Sequence, residues 1–188
     1  MADTPVLRSD ARRNYEQVLT AAQEVFVKEG IDASLREVAR QAGVGIGTLY
    51  RHFPTREALL DALLRAGVDQ LRQRADVLAR EQTPDRALLT WLHEFVERSS
   101  SYRGVPASIA AALHNKKSDL YASCEAMRLS AAQLLARAQQ AGAVRSDVTA
   151  TEVFAMASGV ALVADQMAGG KAIVDRLLAL AMTGLARR

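Results

Sequence analysis

The sequence is poor in the residues on which hydrolytic, redox and metal chemistry usually rest. Its 188 residues include one cysteine, Cys124, and three histidines. A single thiol excludes an internal disulfide and a cysteine-based zinc site, and it suits a reducing compartment. Cys124 itself reads as a small buried apolar residue. There is no nucleophile elbow, no H-E-x-x-H and no carboxylate pair beside a histidine. His93 and Glu97 stand four apart on one helical face, a spacing seen in metal sites, but two potential ligands are too few and a surface pair is expected. The chain is therefore expected to be no enzyme and to hold no cofactor and no metal. Long apolar runs are also missing. The opening stretch MADTPVLRSDARR lacks the apolar core of a signal peptide, and residues 153–164, the nearest approach to a membrane span, are too short. A soluble, cytoplasmic protein is expected.

Excess charge is lacking too. Lys and Arg number 24 against 21 Asp and Glu, a net charge of +3. That balance is compatible with a nucleic-acid partner but far too mild to demonstrate one. Location is more informative. Between Ser34 and Arg56 stand Arg36, Arg40, Arg51 and Arg56, with His52 in reserve, against Glu37 alone.

What the chain does have is apolar residues, 49% of the total, enough for a sizeable core, and they recur at helical spacing almost throughout. Val18, Ala21, Ala22, Val25 and Phe26 form one stripe, stopped by Gly30. Ser34 and Glu37 have the spacing of a capping box ahead of Leu35, Val38, Ala39 and Ala42. Thr55 caps a long helix through "REALLDALLRAGVDQLRQRADVLAR". Thr83-Pro84 opens the next, which carries Leu88, Leu89, Trp91, Leu92, Phe95 and Val96. A short apolar helix follows Pro106, then a polar loop, then a long helix over about 119–141 stopped by Gly142. Thr149 and Glu152 repeat the capping-box spacing, and Gly169-Gly170 separate the last two helices. No strand is needed. The expectation is an all-α protein of about nine helices: an N-terminal arm and helix-turn-helix domain over 1–54, a connecting helix over 55–82, and a helical domain over 83–188.

The stretch QAGVGIGTLYRHF poses the main question of function. A dinucleotide loop needs a buried strand in front and a third glycine where Thr48 stands, and a phosphate-binding loop of the Walker type needs a lysine followed by Ser or Thr. Neither is present. A helix-turn-helix uses every piece: Gly43 turns the chain, Leu49 anchors the second helix, and "GIGTLYRH" lies in the major groove of double-stranded DNA. Gly45 and Gly47 lack Cβ atoms, which permits close approach. Thr48, Tyr50 and His52 bring groups able to reach phosphate oxygens, clustered with Arg51 and Arg56, and Arg36 is a candidate for bidentate contact with guanine.

The segment SLREVARQAGVGIGTLYRHFPTREALLDAL resembles the DNA-binding signature of the tetracycline repressor (TetR) family of bacterial regulators: A-G-V, a small residue, then T-L-Y-x-H-F and a charged helix start. The specific match covers roughly residues 12–64. The resemblance implies that Tyr50 and His52 contact the DNA backbone and that Ile46, Gly47 and Thr48 face the groove. It further implies that Arg36 reaches a base or phosphate and that Arg56 holds a phosphate. Arg12 and Arg13 would add contacts or remain solvated surface. Gly45 stands where many members have serine, which removes a helix cap and a phosphate contact.

The family plan also implies a C-terminal domain that binds a small, largely apolar effector and dimerises. Trp91, Phe95, Tyr121, Met127, Phe154 and Met156 are the aromatic and soft side chains available to such a pocket. In "KAIVDRLLALAMTGLA" the polar positions keep to a narrow stripe, so the last helix has more apolar surface than its own domain needs. Together with small residues of the preceding helix it is expected to form a homodimer interface through Ala157, Val160, Ala161, Ala164, Leu177, Leu180 and Ala181. The expected function is a ligand-responsive regulator, a repressor, released from an inverted-repeat operator by its effector. The alternative is a helical adaptor or small-molecule-binding protein without specific DNA binding, which would not need the Gly-Thr-Leu-Tyr-Arg-His cluster.

Overall fold

The computed structural model describes residues 4–100, 119–166 and 170–185. Eight α-helices occur among them: α1 (Thr4–Glu29), α2 (Leu35–Gln41), α3 (Ile46–His52), α4 (Arg56–Glu81), α5 (Pro84–Ser100), α6 (Asp119–Gln140), α7 (Ala150–Gln166) and α8 (Gly170–Leu185). The short helix expected after Pro106 and the polar loop behind it lie outside the described residues. Among the described residues no helix is long and apolar enough to cross a membrane. The expected N-terminal arm is helical from Thr4 onward, as the first part of α1.

Helix ends follow local chemistry. Gly30, Gly43 and Gly142 adopt positive φ values of 89°, 68° and 73°, a region that side chains with a Cβ rarely enter. At the end of α2 the Val44 N–H donates to Ala39 O at 3.0 Å and the Gly43 N–H to Arg40 O at 3.2 Å. This paired arrangement satisfies carbonyls the helix would leave orphaned, and it turns the chain toward α3. The same pair of bonds closes α6 at Gly142.

Two of the expected caps form as expected and a third forms in part. Thr55 Oγ1 accepts from the Ala58 N–H at 3.1 Å. Thr149 and Glu152 close a reciprocal box, with the Thr149 N–H donating to Glu152 Oε2 at 2.8 Å and the Glu152 N–H to Thr149 Oγ1 at 3.3 Å. Ser34 caps α2 through the Arg36 N–H at 3.3 Å, but Glu37 does not reach back. It is taken instead by Arg40, whose Nε donates to Glu37 Oε2 at 2.8 Å. A guanidinium one turn away offers a charge-assisted bond stronger than the neutral backbone N–H can supply.

Two compact units divide inside α4, between Leu64 and Arg65, because the apolar residues of that helix belong to two different cores. In the N-terminal unit Leu59, Ala62 and Leu63 join Val18, Ala22, Val25 and Phe26 of α1, Leu35, Val38 and Ala39 around α2, and Leu49 and Phe53 at α3. In the C-terminal unit Leu71, Ala75 and Leu78 join the apolar faces of α5 to α8.

Within that second unit α5 is central and packs against α6, α7 and α8. Trp91 is fully buried, and its Nε1–H donates to Leu71 O at 2.9 Å, so no polar atom of the ring is stranded. Arg74 grips both carboxylate oxygens of Glu94 at 2.9 and 3.2 Å, and Arg137 donates to Ala79 O near the end of α4. His93 Nδ1 lies 3.2 Å from Asp175 Oδ1, and Lys171 Nζ lies 2.9 Å from Glu97 Oε1, so His93 and Glu97 both reach across to α8. The Glu97 partner holds the Lys171 ammonium above the ordinary lysine range.

Candidate nucleic-acid interface

In the N-terminal unit α2, the turn at Gly43 and α3 form a helix-turn-helix, and α1 packs against both helices. The seven residues of α3 are held by Leu49 at the middle and by Phe53 just beyond the end, both buried. Those two anchors fix which face looks outward. Ile46, Gly47, Tyr50 and Arg51 are exposed, Thr48 and His52 half-buried. Tyr50 is 48% exposed, unusually open for an aromatic side chain.

The cations divide into three fates. Arg40 is engaged by Glu37, and the guanidinium holds that carboxyl below the ordinary glutamate range. Arg56 turns inward: Nη1 donates to Ile31 O and to Ala33 O, each at 2.7 Å. These bonds give Arg56 a structural role in the loop between α1 and α2, whose two carbonyls would otherwise lack a charged donor, and they engage only Nη1 of the guanidinium. Arg36 and Arg51 are exposed, and among the described residues no hydrogen bond or ion pair engages their side chains. Arg12 and Arg13 pair along α1 with Glu16 and Asp10, each at 3.0 Å.

Gly45 and Gly47 have no internal explanation. Gly45 caps α3 with φ −67° and ψ 146°, a conformation open to any residue, and it supplies no side-chain cap. A Cβ built on either glycine meets nothing within 4 Å. Neither the backbone nor the core calls for glycine here, so any need for a bare backbone comes from outside the chain.

One participant was not anticipated. Tyr15 of α1 sits at the edge of the site, with its ring centroid 4.9 Å from Phe53 and 6.1 Å from His52, the latter pair at 75°. The signal was present in the apolar stripe of α1, since Tyr15 precedes Val18 by three residues and Ala22 by seven.

In the C-terminal unit the predicted pocket residues meet in part. Trp91, Phe95 and Phe154 form a three-ring cluster with centroid separations of 5.5 to 5.6 Å. Met127 is buried in the same core and Met156 packs on it half-buried, as Tyr121 is half-buried on α6. A void of about 10 Å³ lies among Leu88, Trp91, Leu92, Ala131, Leu135, Ala150, Val153 and Phe154. Of the six predicted pocket residues, only Trp91 and Phe154 line it. It is lined by apolar side chains and has room for about one water at most.

The predicted dimer residues divide by direction. Ala157 and Ala161 are buried in their own core, which corrects their assignment to an external face. Their small side chains serve the approach of α7 to its neighbours within the unit. Val160, Ala164, Leu177 and Ala181 are half-buried, while Leu180 is 61% exposed. The outward stripe of α7 is instead Ala155, Ser158, Gly159, Leu162 and Val163.

Comparison with known proteins places this geometry. Residues 18–63 match the family model for bacterial regulatory proteins of the tetR family. Residues 83–187 match the model for the C-terminal domain of SbtR-like transcriptional regulators. A TetR transcriptional regulator from Streptomyces coelicolor is similar at 37% identity and a TM-score of 0.75, over 92% of this chain and 98% of that one. The TetR transcription regulatory protein from Mycobacterium vanbaalenii is similar at 32% identity and a TM-score of 0.68, over 96% and 99%. An HTH-type transcriptional regulator from Staphylococcus aureus (strain MRSA252) is 35% identical over 79 residues, which span 41% of that relative's length and 40% of this chain. The helix-turn-helix and these matches together show that the chain belongs to the TetR family of bacterial, DNA-binding transcriptional regulators.

Proposed function

We propose that this chain is a cytoplasmic, ligand-responsive repressor. Two copies bind an inverted-repeat operator, each placing α3 in the major groove, and a small, largely apolar effector releases them. The observation that carries the DNA half is the outer face of α3. Tyr50 and Arg51 stand exposed beside two glycines that nothing among the described residues requires, and the Arg36 side chain of α2 has no hydrogen-bond or ion-pair partner among the described residues. Such a surface is suited to phosphate oxygens and base edges. Within this reading Tyr50 and His52 set register on the backbone, Ile46, Gly47 and Thr48 face the groove, and Arg36 reads a base.

The homodimer rests on Leu162 and Val163 of α7 and Leu180 of α8, apolar side chains left 43 to 61% exposed. An isologous four-helix contact would cover them. The effector half rests on the cluster of Trp91, Phe95 and Phe154. The adjoining void of about 10 Å³ is too small for an organic molecule, so an effector that binds at this cluster would part these rings. Release is limited by how differently the effector binds the two conformations: a hundredfold loss of DNA affinity needs about 2.7 kcal/mol of coupling.

Selection of bound duplexes from a random pool tests the proposal. The expected product is an inverted repeat with half-sites about 34–36 Å apart or a multiple of it, bound with affinity that falls steeply with salt. A chain that sediments as a monomer at micromolar concentration, or that enriches no sequence, would sink it. With an effector in hand, Phe95→Ala should leave DNA binding intact and blunt the response.

A further inference from the structure

We infer that Tyr15 is a positioning residue for DNA binding, acting through the His52 imidazole. The inference rests on the proposed role of α3 and names a residue outside the helix-turn-helix that sets the strength of its backbone contact.

His52 is the last residue of α3, and its half-buried ring has no hydrogen bond among the described residues that would fix its two side-chain torsions. Two aromatic rings flank it: Tyr15, with a centroid separation of 6.1 Å at 75°, and Phe53, at 6.2 Å and 49°. Phe53 is itself 2% exposed and locked in the core, and Tyr15 lies against it at 4.9 Å with the rings tilted by 32°. The three rings thus form a triangle, in which the fixed Phe53 holds Tyr15 at 4.9 Å and both flank the imidazole, Tyr15 in the edge-to-face geometry. Edge-to-face geometry brings the positive rim of one ring to the negative face of the other. A pair of this kind biases a rotamer about two- to tenfold beyond simple burial. An imidazole already held in one rotamer loses less freedom when it meets a phosphate oxygen. A role confined to the core does not account for the choice of residue, since Tyr15 lies at the rim of the apolar cluster, half-buried, where an aliphatic side chain would fill the same stripe.

A double-mutant cycle on the full chain tests this, using a duplex that the wild-type protein enriches from a random pool. Tyr15→Leu should weaken binding about three- to tenfold, and Tyr15→Phe, which keeps the ring, by less than about twofold. In a His52→Ala background Tyr15→Leu should add less than about twofold, because its route to DNA is gone. Equal losses with and without His52 would overturn the inference by showing that Tyr15 acts on the whole domain. So would a Tyr15→Leu protein that binds as wild type while His52→Ala does not. If Tyr15→Leu fails to fold, Tyr15→Met takes its place. Independently, the free wild-type protein should show magnetic cross-relaxation between the Tyr15 and His52 ring protons, and its absence would also refute the contact. Failure of the underlying reading is recognised separately: the wild type enriches no duplex, or His52→Ala binds as tightly as wild type, and the inference then falls with it.

Discussion

Among the described residues each compact unit holds a three-ring aromatic cluster, and the two differ in how they end. In the N-terminal unit Phe53 is buried, Tyr15 half-buried and His52 half-buried at the end of a helix, so the cluster grades from core to surface. In the C-terminal unit Trp91 is sealed, its one N–H is used by Leu71 O, and Phe95 and Phe154 close over it. The first arrangement leaves a polar ring half-exposed at its outer end. The second turns its one polar atom inward. Aromatic content alone does not distinguish them; what does is whether the last ring in the series has a polar edge left over.

The contrast breaks most visibly at Trp91. Trp91→Ala should cost about 3–5 kcal/mol of stability in denaturant unfolding, since it leaves a cavity and takes the donor from Leu71 O. A loss below about 1 kcal/mol would mean the cluster is a pocket wall that relaxes freely. In the N-terminal unit, Arg36→Ala should leave unfolding within about 0.5 kcal/mol of wild type and weaken operator binding by about 1–3 kcal/mol, with relaxed preference at one base pair. Arg56→Met separates the two uses of arginine in that unit. It should destabilise the fold by about 1–3 kcal/mol because Ile31 O and Ala33 O lose their donor, and any loss of DNA affinity should disappear once the folded fraction is allowed for. The smallest effect concerns pH. Bonds from the Thr149 backbone and hydroxyl hold the Glu152 carboxyl below the ordinary glutamate range. The stabilisation is therefore complete above the ordinary glutamate value and is lost as pH falls through the lowered one. Glu152→Gln should flatten stability across that acid window and nowhere else. An unchanged profile would remove Glu152 from the account.

The parts of this molecule legible in the sequence are those decided within a few residues. Gly30, Gly43 and Gly142 end helices because the next step needs positive φ, and Thr55 and the Thr149–Glu152 box begin them through bonds three residues long. The outward face of α3 was legible because Leu49 had to be inside. What sequence spacing missed was settled by competition or by distant partners. Glu37 had a choice between a backbone N–H and Arg40, and the charge won. Arg56 found carbonyls more than twenty residues earlier in the chain. Ala157 and Ala161 carry small side chains that suit a close helix contact in either direction, so composition could not say which neighbour they meet. Tyr15 and His52 are joined across the fold, beyond the reach of any local pattern.

The crossing of α5 and α8 carries one more consequence. Along α5 the order is His93 then Glu97; along α8 it is Lys171 then Asp175, and the contacts run His93 to Asp175 and Glu97 to Lys171. Reversing α8 would set His93 beside Lys171 and Glu97 beside Asp175, so that the two carboxylates repel and the ammonium faces an imidazole in place of its counter-ion. Four side chains therefore favour the observed direction of α8 along α5, each partly exposed pair by a small amount.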